Sequence, residues 1–191
     1  MKHLSFAAAA IIFTSFTLLS PTAVANEFGV ILVEKSGITF VSKQMGVPID
    51  GEFRKFSAQL SFDPAKPEAG RARIDIDMAS IDAGSAEANE EVVGKNWFNV
   101  RQFPTAGFVS TGVRPLGGGK FEVAGTLTIR DKTREVLAPF TMTTQAATVQ
   151  FDGSFVINRA DFGIGQGVWA DFDTVANEVQ IKFKLVAAAK K

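Results

Sequence analysis

Few residues in this chain could do chemistry, and their types narrow the choices at once. Of 191 residues one is histidine, none is cysteine and none is tyrosine. The histidine is His3, in a stretch where Lys2 precedes an apolar run from Leu4 to Leu19 and Ala23-Val24-Ala25 offers a small-x-small site. That is the layout of a secretory signal peptide over residues 1–25, too short for a membrane-spanning helix. Residues 26–191 then form one domain with no His, Cys or Tyr. This excludes histidine acid–base catalysis, Ser-His-Asp and Cys-His nucleophiles, and ordinary zinc or haem ligation. No catalytic residue, metal ligand or cofactor is assigned, and the reading is that of a non-enzyme. A lipoprotein anchor and disulfides both need cysteine, so the expected product is released, periplasmic or secreted.

Carboxylate and Ser-Lys chemistry survive the exclusion. Asp75 and Asp77 are same-face neighbours on an alternating stretch, which puts them about 7 Å apart. That spacing suits a glycosidase pair, but alternation points both to water and implies no cleft. No nucleophile elbow or positioned base is visible. Arg159-x-Asp161 either presents a cation to a ligand head group or holds the loop Gly163-Ile164-Gly165-Gln166-Gly167, and the second role is favoured. No helix follows that Gly-x-Gly-x-Gly, so it is not a dinucleotide fingerprint; its glycines permit a tight, bulged turn before Trp169. The 20 basic and 20 acidic residues form no basic run, which argues against nucleic acid and anionic membranes as partners.

The elements that must position these residues are almost all strands. Ile38 and Phe40 share a face, as do Phe56, Ala58, Leu60 and Phe62, then Ala72, Ile74, Ile76 and Met78. Phe121, Val123, Leu127 and Ile129 follow the same rule, with Gly125 at a position where a strongly bent strand needs no side chain. So do Val136, Ala138, Phe140 and Met142, and finally Val179, Ile181, Phe183 and Leu185. Val149 to Arg159 reads as a strand broken at Asp152-Gly153. The exception is Ser80 to Asn96, where Glu87, Glu90 and Glu91 lie early and Lys95 late, charges suited to a short helix over 86–93 with Gly94 as its cap. Pro104 ends that excursion, and Trp97, Phe98, Phe103 and Phe108 crowd the return to the sheet. About eight antiparallel strands must cover their edges. Closure into a barrel does so, and a two-sheet sandwich is the alternative that alternation leaves open.

Several of these segments together carry a resemblance. They are Ile38-Thr39-Phe40, Met45-Gly46-Val47 and Gly51-x-Phe53, then Ala79-Ser80-Ile81, Phe98-Asn99-Val100-x-x-Phe103-Pro104-Thr105-Ala106-x-Phe108, Gly125-x-Leu127-Thr128-Ile129 and Asn158-Arg159-x-Asp161-Phe162-Gly163. In this order over nearly the whole chain, the pattern resembles the YceI-like family of bacterial exported proteins. The resemblance implies an all-β fold, a lipocalin-like, extended antiparallel eight-stranded barrel with a short helical insert. It implies binding of a long apolar lipid, a polyisoprenoid or isoprenoid quinone, and no catalysis. Gln44 stands where many relatives place a His, and Ala88 near where they place an Arg, so the head-group preference is expected to differ.

On this reading Phe40, Phe53, Ile76, Met78, Phe98, Phe103, Phe108, Leu127, Ile129, Phe140, Phe162 and Trp169 are the candidate lining residues, with Gln44 and Arg159 as candidate head-group contacts. The partner is an apolar lipid, without stable membrane insertion; a homodimer is left open. An outer-membrane barrel also alternates, but this chain lacks aromatic girdles and its last strand runs into Ala187-Ala188-Ala189-Lys190-Lys191. A stress-related or protein-interaction module on the same barrel is the remaining alternative.

Overall fold

A strand with one apolar and one polar face must curl or stack its sheet to bury the apolar side. The computed structural model, which describes residues 27–190, shows a single sheet that curls. The signal-peptide expectation for residues 1–25, His3 included, lies outside the described residues. Among those residues the strands are β1 (Phe28–Ile31), β2 (Gly37–Gln44), β3 (Val47–Phe53), β4 (Phe56–Ser61), β5 (Arg71–Asp77), β6 (Ile81–Asp82), β7 (Thr105–Gly117), β8 (Lys120–Ile129), β9 (Lys132–Gln145), β10 (Thr148–Asn158) and β11 (Glu178–Ala189). The helix α1 covers Ala86–Val92.

The spatial order is β4-β5-β7-β8-β9-β10-β11-β2-β3-β6, with antiparallel neighbours throughout. Two devices close the seam between β3 and β4. At one end β1 pairs with Ala187–Ala189 of β11 and bridges Phe28 to Phe62 just beyond β4. At the other, the Asp77 N–H donates to the Lys55 carbonyl (3.0 Å) and the Arg54 N–H to the Ser80 carbonyl (3.1 Å). The barrel, not the sandwich, is therefore the architecture.

Eleven strand segments exceed the eight expected, for physical reasons. Val47–Phe53 contains Pro48 and Gly51, which blur its alternation, yet it pairs with β2 along its whole length. β10 is continuous through Asp152-Gly153. Gly153 is a close-approach residue: a Cβ there would lie 2.3 Å from Phe183 Cζ. The helix matches expectation at its start, where the Ser85 hydroxyl accepts from the Ala88 N–H at 3.2 Å. At its end Gly94 is needed for proximity, since a Cβ would sit 2.9 Å from the Glu91 carbonyl oxygen.

Candidate ligand-binding site

Inward-facing side chains of the barrel enclose a cavity of about 580 Å³, overwhelmingly apolar in its lining. Its two ends differ. Phe62, Phe140 and Phe151 form the floor, with Phe121 packed beneath. Phe62 meets Phe151 edge-on at 5.2 Å and Phe121 at 5.7 Å, while Phe121 stacks on Phe140 at 5.3 Å, geometries that aromatic quadrupoles favour. Exposed Gln44, Ser85, Glu87 and Glu91 mark the opposite, open end.

The walls stay clear of the lumen through pairings between rings and glycines. Phe40 lies against Gly51, Phe108 against Gly125 and Phe183 against Gly153; a Cβ on each glycine would fall 2.2, 2.5 and 2.3 Å from the facing ring. Phe40–Gly51 and Phe183–Gly153 are direct cross-strand pairs. Each ring covers a neighbouring strand where a side chain is missing instead of projecting into the lumen. Gly125 is thus explained by Phe108 above it.

The rim is built around Arg159, only 2% exposed. Its Nη1 donates to the Ile164 and Gly165 carbonyls, both at 2.9 Å. Its Nη2 donates to Trp169 and Val175 carbonyls, both at 2.7 Å, and Nε to Ala176 at 3.1 Å. The guanidinium also faces the rings of Trp97 (5.9 Å) and Phe172 (5.2 Å). Burial lowers its pKa from the usual arginine value. Gly163, Gly165 and Gly167 all have positive φ (66°, 75° and 66°), and the Gly165 side-chain direction points at the guanidinium, so only glycine fits there. Arg159 therefore holds the loop, through main-chain carbonyls rather than Asp161. Of the two roles considered for it, the loop-holding one matches these bonds: its N–H donors are committed to main-chain carbonyls, although its side chain borders the cavity.

Three segments meet at this rim. The Gly165 and Gln166 N–H groups donate to the Asn96 carbonyl (2.9 and 2.8 Å). Trp169 Nε1 donates to Glu91 of α1 at 2.7 Å, and its ring lies 5.7 Å from Trp97. The Met45 N–H donates to the Thr174 carbonyl at 2.9 Å, tying in the β2–β3 hairpin. The Glu87 carboxyl is held below the usual carboxylate range by its own N–H and then by the Ser85 hydroxyl, both of which donate to it.

Of the candidates, Phe40, Phe53, Ile76, Met78, Phe98, Phe108, Leu127, Ile129, Phe140, Trp169 and Gln44 border the cavity. Phe103 and Phe162 do not, and this is a correction. Phe103 lies under the Arg130 guanidinium, 5.6 Å from ring centroid to carbon. Phe162 is buried behind the wall beside Ile157 and Ile164, on the short turn that follows β10. Sequence reasoning missed Trp97, Phe155, Ile181 and Phe183 as lining residues. The last two lay on the apolar face of the final strand, so their alternation was the available signal. The aspartates are structural: Asp75 takes both Arg73 bonds (2.7 and 2.8 Å), and Asp77 accepts from the Ala79 N–H.

A family model described as YceI-like domain matches residues 30–187. The chain is similar to the UPF0312 protein of Azotobacter vinelandii, 32% identical over 120 residues, which cover 60% of this chain and 62% of that protein. It is also 33% identical over 126 residues to the UPF0312 protein of Pseudomonas fluorescens, covering 60% and 64%. The chain thus spans somewhat under two thirds of the length of these curated relatives. Among solved structures, Burkholderia cenocepacia BcnA is 48% identical with a TM-score of 0.81, over 83% of this chain and 99% of that one. A polyisoprenoid binding domain from Saccharophagus degradans has the same fold at 16% identity, TM-score 0.65, over 87% and 99%.

Proposed function

The chain belongs to the YceI-like family, and from that premise we propose that it is an exported carrier holding a long apolar lipid of the isoprenoid type inside its barrel. The observation that carries this reading is the cavity itself: about 580 Å³, walled in part by rings that rest against glycines. That volume lies within the roughly 300–1,000 Å³ usual for small-molecule sites. Apolar burial would drive binding, at about 25 cal/mol per Å² before ordering costs. The Saccharophagus degradans domain of the same fold is a polyisoprenoid binder, which supports the ligand class proposed here.

The rim narrows the head group. Arg159 spends its donors on carbonyls, whereas Glu87 and Glu91 stand at the opening as carboxylates beside neutral Gln44 and Ser85. A phosphate would meet repulsion there, so a neutral head group, a quinone or a prenyl alcohol, fits better. The outward strand faces carry Arg73, Asp75, Lys182 and Lys184, the inverse of a membrane-spanning barrel with its apolar exterior. The proposed setting is the periplasm or the exterior.

Native mass spectrometry of protein purified from its own source without delipidation tests this reading. A bound mass matching a prenyl chain or quinone is expected, with neutral prenyl lipids taken up ahead of prenyl phosphates. Delipidated protein that takes up no prenyl lipid would overturn it.

A further inference from the structure

The cavity rim exposes large apolar side chains, Phe172 among them with one ring face on Arg159. Met45 is 78% and Val47 59% exposed at the tip of the β2–β3 hairpin, and Val168 is 82% and Phe172 50% exposed on the loop that Arg159 holds. Two separate segments thus present four large apolar tips at one opening, joined there by the Met45–Thr174 main-chain bond and the Gln44–Val175 bridge. The floor end also exposes Val30, Val33 and Leu116, by 48–51%, but there the aromatic rings pack inward as a cluster and border no opening. Exposed single apolar residues need no explanation, but a crown of them around the entrance to an apolar cavity does.

The charges beside the crown limit what it meets. Glu87, Glu90 and Glu91 lie on α1, and Asp171 and Asp173 on the loop, against Lys43, Lys95 and a half-buried Arg130 whose Nη1 is taken by the Trp97 and Gly163 carbonyls. Two copies mouth to mouth would set carboxylates against carboxylates, and an anionic lipid surface would repel the same ring. A zwitterionic bilayer presents ammonium groups outermost with hydrocarbon beneath. It would offer a positive layer to the carboxylates and an apolar one to the four tips.

We propose that the open rim is a docking surface for a zwitterionic lipid bilayer, with Met45, Val47, Val168 and Phe172 entering the interface so that the ligand passes between bilayer and cavity without crossing water. The inference rests on the carrier reading. Interfacial binding of this type scales with the apolar area inserted and is modified by headgroup charge.

The test is flotation of the mature protein with phosphatidylcholine or phosphatidylethanolamine vesicles, compared with the Met45→Glu/Val168→Glu double variant, and with vesicles containing added phosphatidylglycerol. Neither residue borders the cavity, so prenyl-lipid uptake from detergent, measured in parallel, should be unchanged in the variant. The expected result is co-flotation of the parent protein, partitioning reduced at least about tenfold by the two glutamates, and weaker binding as phosphatidylglycerol is added. Parent protein that stays with the aqueous phase, a variant that floats equally well, or binding strengthened by phosphatidylglycerol would each overturn the docking surface. Failure of lipid uptake from detergent would instead strike the carrier reading, because that assay contains no bilayer.

Discussion

The floor and the rim of this barrel use buried groups in opposite ways. At the floor, Phe62, Phe121, Phe140 and Phe151 meet one another ring to ring and no polar atom is needed. At the rim a single buried cation, Arg159, gathers carbonyls of a mostly irregular loop whose regular structure is one 3-10 turn at Gly167–Trp169 and a bridge from Val175 to Gln44. The difference teaches what each end is for. A floor must exclude solvent and can be made of packing alone. A rim must keep an irregular backbone in one shape while leaving an opening, and unpaired carbonyls there demand a donor.

The comparison can be broken first at the floor. Phe151→Ala should cost about 3–5 kcal/mol, read by denaturant unfolding, because it removes a ring that touches two others. The same variant should deepen the cavity and shift preference toward longer prenyl chains in uptake assays. At the rim, Arg159→Met should cost about 3 kcal/mol by leaving several main-chain carbonyls without donors. Hydrogen exchange should rise over residues 163–176 while the floor strands stay protected; uniform loss of protection would show that the two ends are not separable.

The walls between the ends offer a smaller effect. Gly153→Ala should cost about 1–3 kcal/mol and push the Phe183 ring toward the lumen, since the added Cβ has only 2.3 Å to Phe183 Cζ and 2.6 Å to the Pro139 carbonyl. Ligand capacity should fall with it, measured as the longest prenyl chain retained.

Acidification is the mildest probe. Asp82 is held below the usual carboxylate range, chiefly by the Gly84 N–H and then by Asn89, and Glu87 is lowered by its own N–H and Ser85. Folded values below unfolded ones mean that their stabilisation is complete above the unfolded pKa and fades as pH falls through the folded one. Both groups anchor the start of α1, so α1 should gain exchange on lowering the pH below about 4, before the ring cluster does.

Much of this was legible in the residues. The alternation of Phe121, Val123, Leu127 and Ile129 assigned a face, because a strand's side chains alternate whatever it pairs with. The short helix was equally local, read from the placement of Glu87, Glu90, Glu91 and Lys95 along the segment; the Ser85 cap on it is seen in the structure. Pairing was not. That Phe183 rests on Gly153, that Phe162 sits behind the wall, and that Arg159 reaches Trp169 and Val175 depend on contacts between segments distant in sequence. Local preference decides which way a side chain points along its own strand; only the closed sheet decides what it meets there, and so which apolar residues became floor, which wall and which exposed rim.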